Sequence, residues 1–219
     1  MVKTLRLNRD RVLRAAIGLA DEIGLEQLSM RRLAQELDVV PMALYKHVAN
    51  KDELIDGMLD VIVTEIDPPA PGAEWKPAVR QRILAARQAM LRHRWAARAI
   101  EMRQAPTPAI LAHMNSVIGI FRAGGLSATL THHVMHALGS RVLGFTQELY
   151  APDETRRPPD LTLFPHVLEI ATAAAHENDS IVGAGCDDQF EFEFALDVLL
   201  DGFERLNDQN WTPPPFRYG

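Results

Sequence analysis

The sequence predicts an all-α protein with two domains, a small N-terminal three-helix domain and a larger helical bundle. Apolar residues recur at helical spacing from one end of the chain to the other, and no clear alternating strand interrupts them. Prolines cluster in the segment DPPAPGAEW, residues 67–75, where a helix cannot continue. With 219 residues, the chain is long enough for two modest cores.

The first helix carries an apolar stripe and has a signal at each end. Asn8 is a residue type that caps helix N-termini, and Gly24 suits a helix stop. The stripe follows the spacing of one helix face, at Val12, Ala15, Ala16, Leu19, Ala20 and Ile23.

Three shorter elements follow before the proline cluster. Ser29 caps a predicted helix that runs to Leu37, and residues 38–40 separate it from a third helix that begins at Pro41. Proline suits a first helical position because the N–H that it lacks would have no partner there.

The fourth predicted helix runs from Asn50 to about Ile66. Asn50 and Glu53 have the spacing of a capping box. Its two apolar stripes predict that it contacts both domains at once, and they consist of Leu54, Met58 and Val61 on one side and Ile55, Leu59, Ile62 and Ile66 on the other.

The rest of the chain predicts six more helices, separated by prolines, glycines and polar stretches. We expect them at about 75–93, 94–103, 107–123, 127–150, 164–177 and 188–207. The predicted domains are therefore residues 1–66 and 75–208, with a tail at 209–219.

The charge is divided unevenly along the chain. The formal net charge is −6, yet residues 1–51 carry +3 and the remainder −9. Phosphate contact depends on local cations rather than on the charge of the whole protein. The asymmetry favours a nucleic-acid-binding face in the N-terminal domain, although chance clustering in an acidic protein gives the same numbers.

Cysteine content and hydropathy predict a cytoplasmic protein without a membrane partner. Cys186 is the single cysteine, which excludes an internal disulfide framework. No apolar run is long enough to span a bilayer, and no apolar segment follows the basic start of the chain as a secretory signal requires.

Residues 29–48 have the pattern of a helix-turn-helix, two short helices joined by a three-residue turn. Small Ala34 stands where the two helices would cross. Apolar residues at inward spacing would fix the angle between the helices, and they are Leu33, Leu37, Val39 and Leu44. The outward positions hold long or polar side chains, at Arg31, Arg32, Tyr45, Lys46 and His47.

The residue identities in this region are more specific than the spacing of its apolar positions. The phrases GLEQLSMRRLAQEL (24–37), ALYKHV (43–48) and NKDEL (50–54) stand in fixed order within residues 23–59. They resemble the DNA-binding domain of the TetR (tetracycline repressor) family of transcriptional regulators. More diffusely, LRHRWAAR (91–98) and DDQFEFEFALDVLLDGFERL (187–206) resemble the ligand-binding domain of the branch nearest to tetracycline repressor.

The resemblance implies a recognition helix, Pro41 to His47, that lies in the major groove of DNA. The positions expected nearest to the bases are Pro41, Met42, Ala43, Tyr45 and Lys46. Arg31 matches a position that can reach a guanine edge, although a solvated or phosphate-paired side chain is the alternative. Phosphate contacts are implied for Ser29, Tyr45, His47 and Lys51; for His47 a packing role is equally consistent.

Two positions depart from the family pattern. Asp38 stands in the turn where glycine is common, and aspartate enters the left-handed conformation at some cost. Val40 stands where a capping Ser or Thr is frequent, so the recognition helix is expected to lack a side-chain cap.

A homodimer is expected, because one three-helix DNA-binding domain contacts few base pairs, and a palindromic site needs two copies of the domain at a fixed spacing. The helices at 127–150 and 188–207 are predicted to form the interface, as the family resemblance also implies. Their apolar stripes are Met135, Leu138, Val142, Phe145 and Leu149, and Phe192, Leu196, Leu199, Phe203 and Leu206. The alternative is that both stripes are buried within one monomer.

The middle helices are expected to enclose an apolar cavity for a small-molecule effector. Its candidate lining residues, each of which has a packing role as the alternative, are Trp95, Met102, Ile110, His113, Met114, Val117, Phe121, His132, Met135, His136 and Phe164. His132 and His136 have a spacing that can bind a metal, but nothing in the sequence completes the set. We therefore predict no metal and no cofactor.

A run of arginines, from Arg80 to Arg103, opens the second domain, and we expect it to form a solvated face paired with acidic residues between Glu177 and Asp208.

Together these features predict a ligand-responsive transcriptional repressor that binds double-stranded DNA and is released by a small apolar or amphipathic effector. One alternative is a DNA-binding dimer without an effector. An α-helical enzyme is a remote second alternative, since the chain contains no P-loop, no HExxH and no credible catalytic triad; we predict no enzymatic activity.

Overall fold

The computed structural model describes residues 6–144, 160–173 and 188–214. Within these ranges every regular element is a helix, which confirms the all-α prediction. The helices are α1 (Arg9–Ile23), α2 (Met30–Glu36), α3 (Pro41–Leu44), α4 (Lys51–Thr64), α5 (Trp75–Arg92), α6 (Trp95–Glu101), α7 (Pro108–Ala123), α8 (Ala128–Gly144), α9 (Pro165–Ala173) and α10 (Asp188–Asp208). Single 3₁₀ turns stand at Leu25–Gln27 and Leu161–Leu163.

These bounds agree with the predicted helices to within a few residues, except at α3, where the helix ends at Leu44 rather than at His47. The predicted segments 145–150 and 174–177, and the end of the tail at 215–219, lie outside the described residues.

The predicted helix caps are confirmed by hydrogen bonds. Asn8 Oδ1 accepts from the backbone N–H of Arg11 at 2.8 Å, and Asn50 Oδ1 accepts from that of Glu53 at 2.8 Å. A capping box would have Glu53 accept from the backbone N–H of the N-cap residue Asn50. Instead, its Oε2 accepts from the N–H of the preceding residue, Ala49, at 2.7 Å. The first and last helices of the N-terminal domain therefore begin at positions defined by their own side chains.

Helix α4 belongs to both parts of the molecule, as its two stripes predict. It packs against α1 on one side and against α5, α6 and α7 on the other. Leu54, Met58, Leu59 and Ile62 are fully buried. A single apolar core therefore runs from α1 through α4 into the larger bundle.

The second part is built around α5, which contacts α7, α8 and α10. Lys76 Nζ lies 2.6 Å from a carboxylate oxygen of Asp201, and Arg80 bridges Glu193 and Asp197. This part of the arginine run pairs with the acidic helix as predicted.

The prediction of a solvated face is wrong for Arg82 and Arg87, which are both buried. Arg82 donates hydrogen bonds to backbone carbonyls just beyond the end of α4. The Arg87 guanidinium lies 4.7 Å from the ring centroid of Phe192. The spacing of charges along α5 carries no information about these partners, because all of them are distant in sequence.

The predicted partner-facing stripes are largely buried within the protomer. Phe192, Leu196 and Phe203 on α10 are covered, as are Leu138 and Val142 on α8. Helical spacing identifies an apolar face but not what covers it, and here the protomer's own helices do. The exposed apolar residues of α10 lie on another face, at Phe190, Phe194 and Val198.

No helix in the described ranges combines the length and the apolar character that crossing a membrane requires.

The junction between α5 and α7 depends on a glycine, which gives a stability prediction. A Cβ at Gly124 would overlap Cγ of Trp75, whose ring also packs against Phe121. We expect Gly124→Ala to lower the free energy of unfolding by about 1–3 kcal/mol through overpacking. Gly119→Ala on α7 meets no atom within 4 Å and should raise it by about 0.5–1 kcal/mol through helix propensity. Urea titrations of both variants measure the difference, and equal effects would contradict the close packing.

Candidate DNA interface and ligand cavity

Helices α2 and α3 form the predicted helix-turn-helix. Leu33, Ala34 and Leu44 are buried between the two helices and α1, and Val48 is buried just beyond α3. Asp38 occupies the turn with φ of +53°, the left-handed conformation expected at this position. The buried side chains and the turn together fix the angle at which α3 is presented.

Helix α3 is one turn long and has no side-chain cap at its N-terminus. Val40, at its N-cap, makes no side-chain hydrogen bond, as predicted. Beyond Leu44 the chain continues in turns, with the N–H of His47 and that of Val48 both donating to the Leu44 carbonyl. The recognition element is thus a short helix extended by a hydrogen-bonded turn.

Most of the residues predicted to contact DNA are exposed to solvent, and these are Ser29, Arg31, Pro41, Met42, Tyr45, Lys46 and Lys51. Ala43 and His47 are half-buried. Met42 is 70% exposed.

Neighbouring arginines at the start of α2 differ in their contacts. Arg32 Nη1 donates to the side-chain oxygen of Gln27 at 3.1 Å, whereas Arg31 makes no such bond to any described residue. The Ser29 hydroxyl caps α2 by accepting from the Arg32 N–H at 3.2 Å, and it keeps its own proton to donate. Arg31 and Ser29 therefore retain donors that a duplex could use.

The larger bundle encloses a cavity of about 660 Å³. Its walls come from α4, α5, α6, α7 and α8, and they are mainly aliphatic. The volume falls within the range of sites for small organic molecules.

Seven of the eleven predicted lining residues meet at this cavity, namely Ile110, His113, Met114, Val117, His132, Met135 and His136. The other four lie elsewhere. Trp95 donates through Nε1 to Asp21 of α1 at 2.7 Å, and Phe121 is fully buried beside Trp75. Met102 at the end of α6 and Phe164 before α9 are both mainly exposed.

The cavity also has walls near the end of α4 and along α5 that the sequence did not predict. Val63 of α4 and Ile66, two residues beyond that helix, line the cavity, as do Ile83, Ala86 and Met90 of α5. Ile66 belongs to a predicted apolar stripe, but the spacing of a stripe does not show that a cavity lies against it. Arg122 and Thr131 add polar groups to the lining.

His113 connects the cavity to the end of α4 through Arg82. Arg82 Nη2 lies 3.1 Å from His113 Nδ1, and Nη1 donates to the carbonyl oxygens of Ile66 and Asp67 at 2.7 and 2.6 Å. Burial, with a smaller contribution from the Arg82 charge, lowers the pKa of His113 to about 4. Since arginine can only donate, Nδ1 accepts, and a neutral His113 carries its proton on Nε2.

His132 and His136 stack edge to face with their ring centroids 4.7 Å apart. No group of three possible metal ligands occurs among the residues that the structure describes.

Family models match both parts of the chain. Residues 12–58 match the family described as bacterial regulatory proteins, tetR family, and residues 68–206 match the tetracyclin repressor-like C-terminal domain. The second match alone covers more than half of the sequence. The chain belongs to the TetR family. It is a ligand-responsive DNA-binding regulator of that family, with the N-terminal helix-turn-helix domain and the helical C-terminal domain that the sequence predicts.

TetR-family relatives resemble the whole chain. The class G tetracycline repressor of Vibrio anguillarum is 30% identical over 209 residues, which cover 92% of this chain and 95% of the relative. Streptomyces coelicolor ActR, solved in complex with actinorhodin, has a TM-score of 0.70 and 29% identity, covering 91% and 98% of the two chains. BioQ, known from Mycobacterium smegmatis and solved with its double-stranded DNA operator, has a TM-score of 0.63 and 27% identity, covering 91% and 99%.

The environment of His113 predicts a pH-dependent contribution to stability. Between pH 6.5 and pH 4 the unfolded chain protonates this ring while the folded chain keeps it neutral, so the free energy of unfolding falls as the pH drops. Glutamine at position 113 can still accept from Arg82 but does not titrate. Between pH 6.5 and pH 4 we therefore expect the free energy of unfolding of His113→Gln to fall by about 1–2 kcal/mol less than that of the unchanged chain. Denaturant titrations at several pH values measure the difference. His166→Gln, at a side chain that is 97% exposed, is the control and should follow the unchanged chain.

Proposed function

We propose that this TetR-family protein is a repressor that binds a palindromic operator as a homodimer and leaves it when an apolar or amphipathic molecule fills the cavity. The observation that carries the proposal is the double role of α4. Its Val63, together with Ile66 two residues beyond the helix, forms part of the cavity wall, and the same helix packs against α1 of the DNA-binding part.

The response follows from this packing. A ligand that fits one arrangement of the cavity better than another shifts the population toward that arrangement. Because α4 is close-packed on both sides, a change at its cavity end alters the position of α1 and hence of the helix-turn-helix. In a dimer, that movement changes the spacing of the two recognition helices.

The proposed division of the chain assigns DNA binding to residues 1–66, with the helix-turn-helix at 29–48, and ligand binding and dimerisation to 75–208. The exposed side chains of α3 and its turn would face base edges at Pro41, Met42, Tyr45 and Lys46, together with half-buried Ala43. Arg31 would reach a guanine, and phosphate contacts would come from Ser29, Tyr45, His47 and Lys51. The exposed donors of Arg31 and Ser29 support this assignment.

The interface that we propose for the homodimer lies on α8 and α10. On α10, Phe190, Phe194 and Val198 form an exposed apolar row at four-residue spacing, a face that an isologous partner would cover. This row replaces the buried Phe192 stripe as the proposed contact.

We propose no catalytic role for the chain. Its relatives include repressors, and the sites described here suit binding of DNA and of a small molecule.

Duplexes selected from a random library by the purified protein test the DNA contacts. Arg31→Ala should cost about 1–3 kcal/mol of affinity and relax sequence preference at one position, whereas Lys51→Ala should weaken binding to all sequences and lower the salt slope by about 1. Arg92→Ala removes the same charge from the exposed end of α5 and should leave the affinity, the sequence preference and the salt slope unchanged. Equal losses for Arg31→Ala and Arg92→Ala, or failure to select any sequence, would contradict the interface.

Sedimentation velocity tests the dimer. Phe194→Glu places a carboxylate of each protomer against the other across a two-fold axis, so we expect dissociation to monomers at concentrations where the unchanged chain is dimeric. Met102→Glu changes an apolar residue outside the proposed interface that is 70% exposed, against 58% for Phe194, and the variant should remain dimeric. A dimeric Phe194→Glu chain would place the interface elsewhere.

A further inference from the structure

The polar groups that line the cavity share one electrostatic character. The Thr131 hydroxyl is the exception, because it donates its proton to the Ser127 carbonyl at 2.8 Å. The others are His113, His132, His136 and Arg122, and no aspartate or glutamate is among the described lining residues. Each of these side chains is either cationic or able to donate a hydrogen bond while neutral. The cavity therefore suits a ligand that presents acceptor atoms, and it has no counter-ion for a cationic ligand.

Arg82 adds a buried positive charge directly behind His113. Its side chain is 7% exposed, and its hydrogen-bond partners among the described residues are two carbonyls and His113, none of which is a carboxylate. Its Nε atom is buried without a hydrogen-bond partner in the described structure. Burial lowers the pKa of Arg82, and the charge of Asp67 offsets this only in part. A buried charge that is only partly compensated is stabilised further when another opposite charge is brought near it.

The orientation of the His113 proton points to the same ligand chemistry. Because Arg82 donates to Nδ1, the ring's own donor is the N–H at Nε2. His113 thereby offers a hydrogen bond to an acceptor in the cavity while Arg82 supplies the charge behind it. A carboxylate, sulfonate or phenolate oxygen matches both requirements.

The same guanidinium holds the carboxyl end of α4. Nη1 of Arg82 is bonded to the carbonyls of Ile66 and Asp67, and Nη2 is bonded to His113. An anionic oxygen at His113 displaces one side of a rigid, planar group whose other side is bonded to the two residues just beyond the end of α4. Recognition of charge and movement of α4 are thus linked through one side chain.

We propose that the effector of this protein is an apolar acid whose anionic oxygen is recognised by His113 and Arg82, and that Arg82 transmits its binding to the end of α4. This inference deepens the proposed function and rests on it. The mainly aliphatic walls and the volume of about 660 Å³ accommodate a fused aromatic or similarly bulky skeleton behind the acidic group.

A matched pair of fluorescent probes tests the recognition of charge. 8-Anilinonaphthalene-1-sulfonate and N-phenyl-1-naphthylamine share one aromatic skeleton and differ by the sulfonate. We expect the full-length chain to bind the sulfonate about tenfold more tightly than the neutral amine, since a charge-assisted hydrogen bond is at stake. In Arg82→Met the ratio should fall to about one while the affinity for the amine changes little.

Arg80→Met is the matched control. It removes the same charge from the same helix, but Arg80 pairs with Glu193 and Asp197 on α10. Arg82, in contrast, contacts His113 of the cavity lining. This variant should keep the preference for the sulfonate. His113→Phe supplies a second test of the site that does not depend on Arg82→Met folding, and it should also reduce the preference.

A DNA-binding measurement separates recognition from transmission. Saturating sulfonate should weaken binding of the unchanged chain to its selected duplex. Arg82→Lys keeps the charge but lacks the planar fork, so we expect it to retain most of the probe preference and to lose most of the effect on DNA affinity.

Four results would overturn the inference. They are equal affinity of the unchanged chain for both probes, equal loss of preference in Arg82→Met and Arg80→Met, failure of both probes to bind, and an undiminished effect on DNA affinity in Arg82→Lys. Failure of the proposed function is distinct from all of these. It would appear as a chain that keeps the Arg82-dependent probe preference but selects no DNA sequence.

Discussion

The burial of α4 on two opposite sides is the constraint on which the rest of the structure depends. Its apolar residues close the core under the helix-turn-helix and also form part of the cavity wall, so neither part has a complete interior without it. Protein interiors are close-packed and respond to a displaced element by repacking rather than by gradual deformation. A helix shared in this way cannot move at one end without consequences at the other.

Polar contacts define how α4 is held at each end. Near its start, Arg103 Nη2 lies 2.6 Å from a carboxylate oxygen of Asp56 and donates to the backbone carbonyl of Asp52. Near its end, Arg82 binds two carbonyls, and His93 lies between Asp21 of α1 and Glu65. The apolar faces supply most of the packing energy, whereas these directional contacts select one orientation among those that the apolar faces would allow.

Features that depend on neighbouring residues, such as helix caps, could be predicted from the sequence. Contacts between residues that are distant in sequence could not. Asn8, Ser29 and Asn50 cap the helices that they were expected to cap, because a cap needs only the next three residues. The Phe192 stripe was assigned to the wrong partner, since periodicity does not reveal which surface covers an apolar face. Arg82 resembled its solvated neighbours in sequence, and its carbonyl partners become visible only when α5 is placed against α4.

The brevity of α3 has an evolutionary consequence. Its anchor is Leu44, with Val48 behind it, whereas Met42, Tyr45 and Lys46 project from the fold without supporting it. Side chains that contribute little to folding can be exchanged at little cost, since surface substitutions usually change stability by less than about 0.5 kcal/mol. DNA preference can therefore diverge between descendants of such a protein while the scaffold, and the ligand response built into it, is inherited unchanged.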